Sequence, residues 1–407
     1  MHKPPKLAHM TKSILFISRV FPPDSGASAL RLLELAQGLA QHGWQVTVLT
    51  NKGRNIAPAG MHENIKLVRL PFGSVDRKPN TLQYILWLFA LWGRALFLPA
   101  HDVTISLSEP PMSAIVTACL KPFKRTRIIR WIHDLYPQMF AATGRDKPIL
   151  QPFLMWLSRW ALNRHERIVT MGPDMNAVLV ENKVRADKLI AIPNWPDVQA
   201  TLLDKNKPAR HDSSNPFVLE GVFTVLYSGN FGLIHDFEPI IDAIKIIQHS
   251  PHAIRFIMAG DGRKFDEVRS RIDEMLLTNV HFIRAQPKEK FIDMLLAGNA
   301  HISTLVPEAV GLAAPSKINS ALGLARPCLY LGPEQSFQAQ LIKEYHAGFV
   351  INPVDTQAKF LLADAIIQLA TDANLYAHMQ DNALRAARSI GFDKALEQFE
   401  TILRPQA

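Results

Sequence analysis

Short apolar runs alternate with stretches of helical periodicity along most of the 407 residues. A short apolar run predicts a buried strand, and apolar positions three and four apart predict a helix. In the first half the runs that predict strands are 13–18, 44–50, 65–70, 103–107, 127–132 and 167–170. In the second half they are a run that begins at Phe223 and the runs 256–260, 280–283 and 301–305, with a last helix over 393–403. This alternation predicts an α/β protein with doubly wound parallel sheets.

A polar stretch divides the pattern in two. Residues 199–216 are rich in Asp, Asn, Lys, Ser and Pro, which is typical of a linker. We therefore predict an N-terminal Rossmann-like domain over 1–205 and a C-terminal Rossmann-like domain over 217–390. A C-terminal helix over 391–407 follows, and for it we consider packing back on the first domain. Ligands of such sheets bind at the switch point of the strand order.

Each half opens with a strand, a glycine turn and a helix. Gly26 forms the turn in the first half, and Gly229, Asn230 and Gly232 hold the same place in the second. Amide groups at the start of such a helix can bind an anion, so the turns predict a phosphate site. A single turn glycine is also common without any ligand. The repetition of the arrangement favours the phosphate.

The net positive charge of the chain comes from its first half. Residues 1–200 carry 25 Lys and Arg against 13 Asp and Glu, a net +12, and residues 201–407 carry 20 against 23, a net −3. A basic cluster in the first half is suited to phosphate, an anionic membrane or nucleic acid, or is merely a solvated face. Its members are Lys121, Lys124, Arg125, Arg127 and Arg130. Because no recognised nucleic-acid module accompanies the cluster, we predict no nucleic-acid partner.

The two cysteines favour a reducing compartment. Cys119 and Cys328 lie in opposite halves within apolar sequence, so we predict neither a disulfide nor a thiolate metal site. Residues 1–6 have no apolar segment behind their charges, so no signal peptide is predicted. Both observations favour the cytoplasm and disfavour a periplasmic sugar-binding protein.

Two apolar stretches rich in tryptophan point towards a membrane. Residues 82–98 are interrupted by Gly93 and Arg94 and are a little shorter than the ~20 residues that a spanning helix needs. They predict either a buried crossover helix or an interfacial helix. Residues 153–165 also interleave aromatic and cationic side chains. The pair favours a membrane-facing surface on the first domain.

Several motifs, in a fixed order, carry a family resemblance. They are Phe21-Pro22-Pro23 with Gly26, His133-Asp134-Leu135-Tyr136-Pro137, Ile192-Pro193-Asn194-Trp195, Tyr227-Ser228-Gly229-Asn230-Phe231-Gly232, Ala259-Gly260-Asp261-Gly262, and Val306-Pro307 through Pro315-Ser316-Lys317 to Arg326-Pro327. Over nearly its whole length the chain resembles family 4 glycosyltransferases of the GT-B fold. Within that family it is most similar to the branch that builds capsule, colanic-acid and O-antigen sugars on bacterial lipid carriers.

The resemblance implies two Rossmann-like domains that face each other across a cleft. It implies retaining transfer of a hexosyl or N-acetylhexosaminyl group from a nucleotide sugar to a saccharide acceptor, lipid-linked, in lipopolysaccharide or exopolysaccharide synthesis. It also implies a peripheral protein at the inner face of the cytoplasmic membrane, bound to an anionic surface. No cofactor and no bound metal ion are expected.

In that family the donor diphosphate lies against the second domain. The resemblance makes Lys317 the catalytic cation, because its ammonium offsets charge on the leaving diphosphate. Pro315 is expected in the first turn of the following helix, with the Ser316 hydroxyl and nearby amides facing the phosphates. The other residues that the resemblance assigns to donor binding are Gly26, Gly229, Asn230, Gly232, Gln286, Glu308, Gly311, Leu312 and Ser320.

The chain departs from the family pattern in two places. Relatives have an Arg and a Lys after the first strand of the second domain, but residues 230–236 contain neither. Ser320 stands where the later family glutamate holds the donor ribose, and one hydroxyl cannot chelate two ribose hydroxyls. Glu308 lies near the place of the earlier glutamate.

His133 and Asp134 are predicted on the acceptor side. They follow the strand over 127–132, at the end where a parallel sheet presents its ligands. An imidazole with a pKa near neutrality can donate to a sugar hydroxyl, and Asp134 can accept from the acceptor alcohol. The competing interpretation is that His133 caps the next helix. The leaving phosphate is expected to act as base, so we name no nucleophile. A GT-B nucleotide-sugar epimerase and a non-catalytic two-lobed sugar-binding protein are the alternative functions.

Overall fold

The computed structural model describes residues 12–24, 26–51, 58–71, 81–144, 148–196, 215–284, 286 and 288–404. The first domain is a parallel sheet with helices on both faces. Its strands are β1 (Ser13–Ile17), β2 (Gln45–Thr50), β3 (Ile65–Arg69), β4 (Val103–Leu107), β5 (Arg127–Trp131), β6 (Arg167–Thr170) and β7 (Leu189–Ala191), in the order β3-β2-β1-β4-β5-β6-β7. Its helices are α1 (Ala27–Gln41), α2 (Thr81–Phe97), α3 (Ala114–Leu120), α4 (Gln138–Ala142), α5 (Gln151–Arg164) and α6 (Pro173–Glu181).

The second domain repeats this plan with six parallel strands. They are β8 (Phe223–Asn230), β9 (Ile254–Asp261), β10 (Val280–Arg284), β11 (Ala300–Thr304), β12 (Cys328–Leu331) and β13 (Gly348–Ile351), in the order β10-β9-β8-β11-β12-β13. The helices of this domain are α7 (Glu238–Gln248), α8 (Phe265–Glu274), α9 (Lys288–Ala297), α10 (Ser316–Gly323), α11 (Phe337–Tyr345), α12 (Ala358–Thr371) and α13 (Ala373–Ser389). A last helix, α14 (Phe392–Leu403), follows it. The predicted fold class, two doubly wound Rossmann-like domains, is confirmed. Of the predicted linker, residues 199–214 lie outside the described residues.

The switch points of the two sheets lie between β1 and β4 and between β8 and β11. There the chain leaves neighbouring strands in opposite directions, which opens a crevice at their carboxyl ends. β4 and β11, on one side of each crevice, are buried at every position. Such strands present rigid ends, so the loops that follow them are well placed to hold a ligand.

Helix α14 crosses back and packs on the first domain. The Arg127 guanidinium donates to the carbonyl oxygens of Ile402 (3.1 Å), Leu403 (2.8 Å) and Arg404 (3.1 Å), which satisfies acceptors that a helix end leaves free. The Phe399 ring meets the Trp131 ring edge-on, with centroids 5.0 Å apart. The last helix is therefore part of the core of the first domain.

This packing corrects the predicted basic cluster. Arg127 is occupied by α14, and Arg130 is buried, donating to the Ser106 hydroxyl, the Leu107 carbonyl and the Ser113 hydroxyl. Of the five cations only Lys121 and Arg125 are exposed. Charge counting failed here because a strand can carry an arginine inward when hydroxyls and carbonyls receive it.

Helix α2, over the stretch 82–98, resolves the alternative between burial and exposure by having one face of each kind. Trp87 is 6% exposed and packs with Leu91 in the core, whereas Phe89 is 66% exposed. Among the tryptophans proposed for a membrane surface, Trp87, Trp92, Trp156 and Trp160, only Trp156 is exposed. No helix among the described residues is long and apolar enough to cross a membrane.

Candidate functional site

The Lys317 side chain lies at the switch point of the second sheet, between residues of β8 and the loops that follow β8 and β11. It enters from α10, and its ammonium lies 4.9 Å from the centre of the Tyr227 ring and 3.2 Å from His235 Nε2. The lysine is half-buried, and burial lowers the pKa of its ammonium to about 7. A cation held against a ring face, close to neutrality in pKa, is poised to take full charge when an anion arrives.

Gly229 makes room for this lysine. It is the last residue but one of β8, with φ 146°, and a Cβ atom there would come within 2.5 Å of Lys317 Cε. The neighbouring strand approaches equally closely, since a Cβ on Gly260 would lie 1.9 Å from the Gly229 carbonyl oxygen. The glycines of the turn and of the Ala259-Gly260-Asp261-Gly262 motif therefore allow a close approach of backbone and ammonium.

Asn230 and Gly232 lie beside the contacts of Lys317 with Tyr227 and His235. The Asn230 carbonyl oxygen accepts from the Tyr227 hydroxyl at 2.7 Å, which ties the turn to the ring beneath Lys317. A Cβ on Gly232 would meet Asn230 Nδ2 at 2.9 Å, and one on Gly262 would meet Asn230 Oδ1 at 2.5 Å. The two glycines thus leave the Asn230 side chain its position, on the exposed side of the turn.

Helix α10 begins at Ser316, so Pro315 is its N-cap and not, as expected, a residue of the first turn. No side chain caps this helix start. Ser316 is half-buried beside Lys317, at the positive end of the helix. Ser320 is buried one turn on, and its hydroxyl donates to the Ser316 carbonyl oxygen at 3.4 Å.

Two predicted donor residues follow strands of the second sheet. Glu308 is exposed in the short 3₁₀ turn Pro307–Ala309 that follows β11. Gln286 follows the edge strand β10, and its amide donates to the Arg284 carbonyl oxygen at 2.8 Å. Arg284 itself stacks on Phe265 at 4.0 Å and pairs with two aspartates, Asp261 (2.9 Å) and Asp266 (2.6 Å). Of the stretch 284–287, the structure describes Arg284 and Gln286.

His133 and Asp134 follow β5 in the first domain, and their backbone N–H groups both donate to the Ser108 hydroxyl oxygen, at 2.9 and 3.2 Å. Burial, with Arg31 and Arg130 nearby, lowers the pKa of His133 to about 3. The expected pKa near neutrality was therefore wrong: the imidazole is neutral and donates through one N–H only. Both ring nitrogens are buried, and neither has a hydrogen-bond partner among the described residues.

Asp134 has the opposite shift. Burial, followed by the charge of Glu109, raises the pKa of its carboxyl to about 7. At neutral pH the group is therefore divided between acid and carboxylate, which suits it to exchange a proton with an alcohol.

The two domains meet at this loop. Asp134 forms an isolated antiparallel bridge with Ala313, and the Leu135 N–H donates to the Leu312 carbonyl oxygen at 2.7 Å. Gly311, with φ 69°, presses on α6 so closely that a Cβ would lie 2.7 Å from the Asp174 carbonyl oxygen. Gly311 and Leu312 thus make an interdomain contact that the sequence did not predict. It brings the acceptor-side residues next to the start of α10.

Gly26 is the N-cap of α1, with φ 142° and open space around its Cα hydrogens. The structure also shows two residues that sequence reasoning missed. Arg31 is buried against the Trp195 ring at 5.3 Å and pairs with Glu34 at 2.5 Å. His235 contacts Lys317. Neither lies in a motif, and only the folded chain shows that they adjoin the site.

The comparisons with known proteins agree with this geometry. The sequence matches the family described as glycosyl transferase 4-like domain over residues 26–195 and the family described as glycosyl transferases group 1 over residues 212–386. With both domains matched, the chain belongs to the family 4-like glycosyltransferases. The sequence prediction of a family 4 glycosyltransferase is confirmed, and so is its GT-B architecture.

Two curated relatives resemble this glycosyltransferase. It is 24% identical over 274 residues to "Probable glycosyltransferase WbjE" of Pseudomonas aeruginosa, which covers 66% of each chain. It is 23% identical over 168 residues to "Putative colanic acid biosynthesis glycosyl transferase WcaI" of Escherichia coli K12, which covers 41% of this chain and 40% of that one. The chain thus matches about two thirds or less of either relative.

Solved structures share the fold. The sucrose-phosphate synthase of Thermosynechococcus elongatus superposes with a TM-score of 0.71 at 15% identity, covering 96% of this chain and 98% of that one. Anabaena HepE, in complex with UDP and glucose, gives 0.70 at 16% identity over 96% and 99%. WaaG, a glycosyltransferase involved in lipopolysaccharide biosynthesis, gives 0.66 at 14% identity over 97% and 100%.

Proposed function

We propose that this glycosyltransferase moves a hexosyl or N-acetylhexosaminyl group from a nucleotide sugar to a lipid-linked saccharide, with retention of anomeric configuration, during bacterial surface polysaccharide synthesis. The observation that carries the proposal is the position of Lys317, held by Tyr227 and His235 beside the start of α10. The relatives named for glycosyl transfer and colanic-acid synthesis support the pathway.

The donor diphosphate binds at α10 and Lys317. Amides at the uncapped helix start and the Ser316 hydroxyl donate to phosphate oxygens, while the ammonium neutralises charge that grows as the diphosphate leaves. A similar fold that binds UDP and UDP-glucose, that of HepE, supports a nucleotide-sugar donor. No metal-binding group of three His, Cys, Asp or Glu is found among the described residues. Metal independence stays a prediction.

The transfer step needs no protein nucleophile. The bond between sugar C1 and the diphosphate oxygen breaks, and its electron pair leaves with the diphosphate. The acceptor oxygen bonds to C1 on the same face, and its proton passes to the departing phosphate. His133, being neutral, donates to a hydroxyl of the sugar, and Asp134 orients the acceptor alcohol.

The acceptor approaches from an apolar face of the first domain. We define the apolar face as the exposed side chains of α2 and α5, which flank α3, together with Phe123: Leu82, Ile85, Leu86, Phe89, Phe97, Phe123, Phe153 and Trp156. Exposed Arg94, Lys121 and Arg125 accompany it. A surface that combines large apolar side chains with cations is typical of proteins that rest on anionic lipid. We therefore place the enzyme at the cytoplasmic side of the membrane, where its lipid-linked acceptor lies.

A panel of nucleotide sugars tests the proposal. Purified protein is heated with UDP-, GDP-, dTDP-, ADP- and CMP-sugars, and the sugar that raises the melting temperature is then supplied, radiolabelled, with lipid-linked oligosaccharide acceptors. We expect label in the lipid fraction and a retained anomer by NMR. Conversion of the donor to an isomer without any acceptor would identify an epimerase, and stabilisation without turnover would identify a binding protein; either outcome contradicts the proposal.

A further inference from the structure

His235 is buried next to Lys317. It lies in the stretch 230–236, which contains no Lys or Arg. The residue is 4% exposed. Its Nδ1 atom lies 2.5 Å from the Thr304 carbonyl oxygen at the end of β11, and its Nε2 atom lies 3.2 Å from the Lys317 ammonium.

The two contacts settle which nitrogen carries the hydrogen. A carbonyl oxygen only accepts, so Nδ1 must donate to Thr304 and Nε2 has a free lone pair. Burial and the nearby charges of Lys317 and Lys264 keep the pKa of His235 well below its usual range, so the ring stays neutral. Lys317 therefore donates one N–H to Nε2, and its other two N–H groups are left for a ligand.

Among the described residues, the groups that contact this pair are neutral or positively charged. Lys264 donates to the His235 backbone carbonyl oxygen at 2.7 Å, and the Tyr227 ring lies beneath the Lys317 ammonium. Among the described residues, neither lysine has a carboxylate within ion-pair distance. A carboxylate in the place of the imidazole would fix the lysine equally well, but it would cancel the charge that a diphosphate needs.

We propose that His235 is a positioning residue for sugar transfer: it holds the Lys317 ammonium by a neutral hydrogen bond and leaves the positive charge available to the donor diphosphate. The inference rests on the proposed role of Lys317. Thr304 fixes the ring from the end of a fully buried strand, so the direction of the ammonium is set by the sheet itself. The histidine thus supplies the orientation, and Lys317 supplies the charge.

Two substitutions separate the two ring nitrogens. His235→Asn retains a donor near Nδ1 for Thr304 and removes the acceptor for Lys317, whereas His235→Gln brings an amide oxygen near the place of Nε2. We expect kcat to fall about tenfold or more in the Asn variant and to stay within about threefold of the natural protein in the Gln variant. Inorganic pyrophosphate is a suitable probe, because its use does not require knowing the nucleotide base of the donor. Pyrophosphate should bind more weakly to the Asn variant, and the fall in its affinity with rising pH should begin at a lower pH than in the natural protein.

The result that overturns the inference is a folded Asn variant with unchanged kcat, pyrophosphate affinity and pH dependence. Lys317→Ala separates this failure from failure of the proposed function: full activity of Lys317→Ala rejects the role of the lysine itself. If both His235 variants unfold, ¹⁵N NMR of histidine-labelled natural protein decides. The inference requires the Nδ1–H tautomer of His235 and a shift of its Nε2 resonance on addition of pyrophosphate; the opposite tautomer or an unmoved resonance would refute it.

Discussion

The Leu135 N–H donates to the Leu312 carbonyl oxygen at 2.7 Å, and this bond joins the loop after β5 in the first domain to the loop that leads into α10. Asp134 and Ala313, the neighbouring pair, form a bridge beside it. Three residues beyond Ala313 the helix begins at Ser316. Backbone hydrogen bonds thus fix the residues proposed to bind the acceptor sugar relative to those proposed to bind the donor. The geometry of these bonds does not depend on side-chain rotamers.

Replacing the proposed cation should cost turnover and little stability. We expect Lys317→Ala to lower kcat at least ~10²-fold, because one preorganised charge stabiliser contributes roughly 3–4 kcal/mol to a transition state. Melting temperature should be unchanged or higher, since a half-buried cation is removed. Lys343→Ala, which removes an exposed lysine paired with Glu334, is the matched control and should leave kcat unchanged. A fully active Lys317→Ala enzyme would reject the mechanism.

The affinity for a nucleoside diphosphate should depend on pH. In the free protein the Lys317 ammonium has its pKa lowered to about 7, and a bound diphosphate favours the charged form and raises that pKa. Binding above pH 7 therefore takes up a proton, and affinity falls as pH rises, by up to about tenfold per pH unit until the pKa of the complex is passed.

Calorimetry measures this uptake. Titrations of UDP at pH 8, in buffers of different ionisation enthalpy, should give proton uptake approaching one per nucleotide. In Lys317→Ala the uptake should vanish and the weaker affinity should be flat between pH 7 and 9. Uptake that persists in the variant would show that another group titrates.

The end of β8 that contacts Lys317 should tolerate no side chain at Gly229. A Cβ there would lie 2.5 Å from Lys317 Cε, and the φ of 146° disfavours any L residue, so Gly229→Ala should displace the ammonium and lower kcat. Gly93→Ala serves as control, since a Cβ at Gly93, within α2, meets nothing within 4 Å. Kinetics and melting curves of both variants test this. Equal effects of the two alanines on kcat would contradict the role of Gly229.

Chelation should not affect catalysis. We propose that Lys317 and the amides of α10 stabilise the negative charge of the leaving diphosphate. Excess EDTA is therefore expected to leave the rate of sugar transfer within about twofold of its starting value. Loss of activity that magnesium or manganese restores would show that a divalent ion takes part.

The apolar face should direct the full-length protein to anionic vesicles. Phe89, 66% exposed on α2, should contribute to binding by inserting into the lipid, so Phe89→Ser should weaken co-flotation with phosphatidylglycerol vesicles. Phe360→Ser, at an exposed phenylalanine of α12 in the second domain, should not. High salt should also weaken binding, because Lys121 and Arg125 act through screened charge. Equal loss in both variants, or no flotation of the natural protein at low salt, would disprove a membrane-binding role of this face.

The strands that the sequence predicted best are those that are buried on both faces. The runs 103–107 and 167–170 have the same bounds as β4 and β6, because a strand covered by helices on both sides is a continuous apolar run. β7, β12 and β13 were not predicted, since three or four residues give too short a pattern. Their places are set by pairing with longer neighbours.

The site was predicted in part for a similar reason. Motif order located Lys317, but its partner His235 lies 82 positions earlier and belongs to no periodic pattern. The pKa values of His133 and Asp134 also depend on burial and on charges from other strands, which no local pattern records. Local sequence thus locates functional groups, whereas their protonation is a property of the assembled fold.

The return of α14 to the first domain constrains how the two halves can move. The chain passes between them twice, after Trp195 and again at Gly391, and Arg127 anchors the far end of the second passage. Two connections at different points oppose sliding and twisting, and leave bending about the line through both as the least resisted motion. Removal of the chain after residue 390 would leave a single connection and uncover Trp131 and Trp195, whose rings contact Phe399 and Phe392. The C-terminal helix is therefore a second connection between the two domains. Its loss should change the alignment of the proposed donor site with the proposed acceptor site before it changes either site itself.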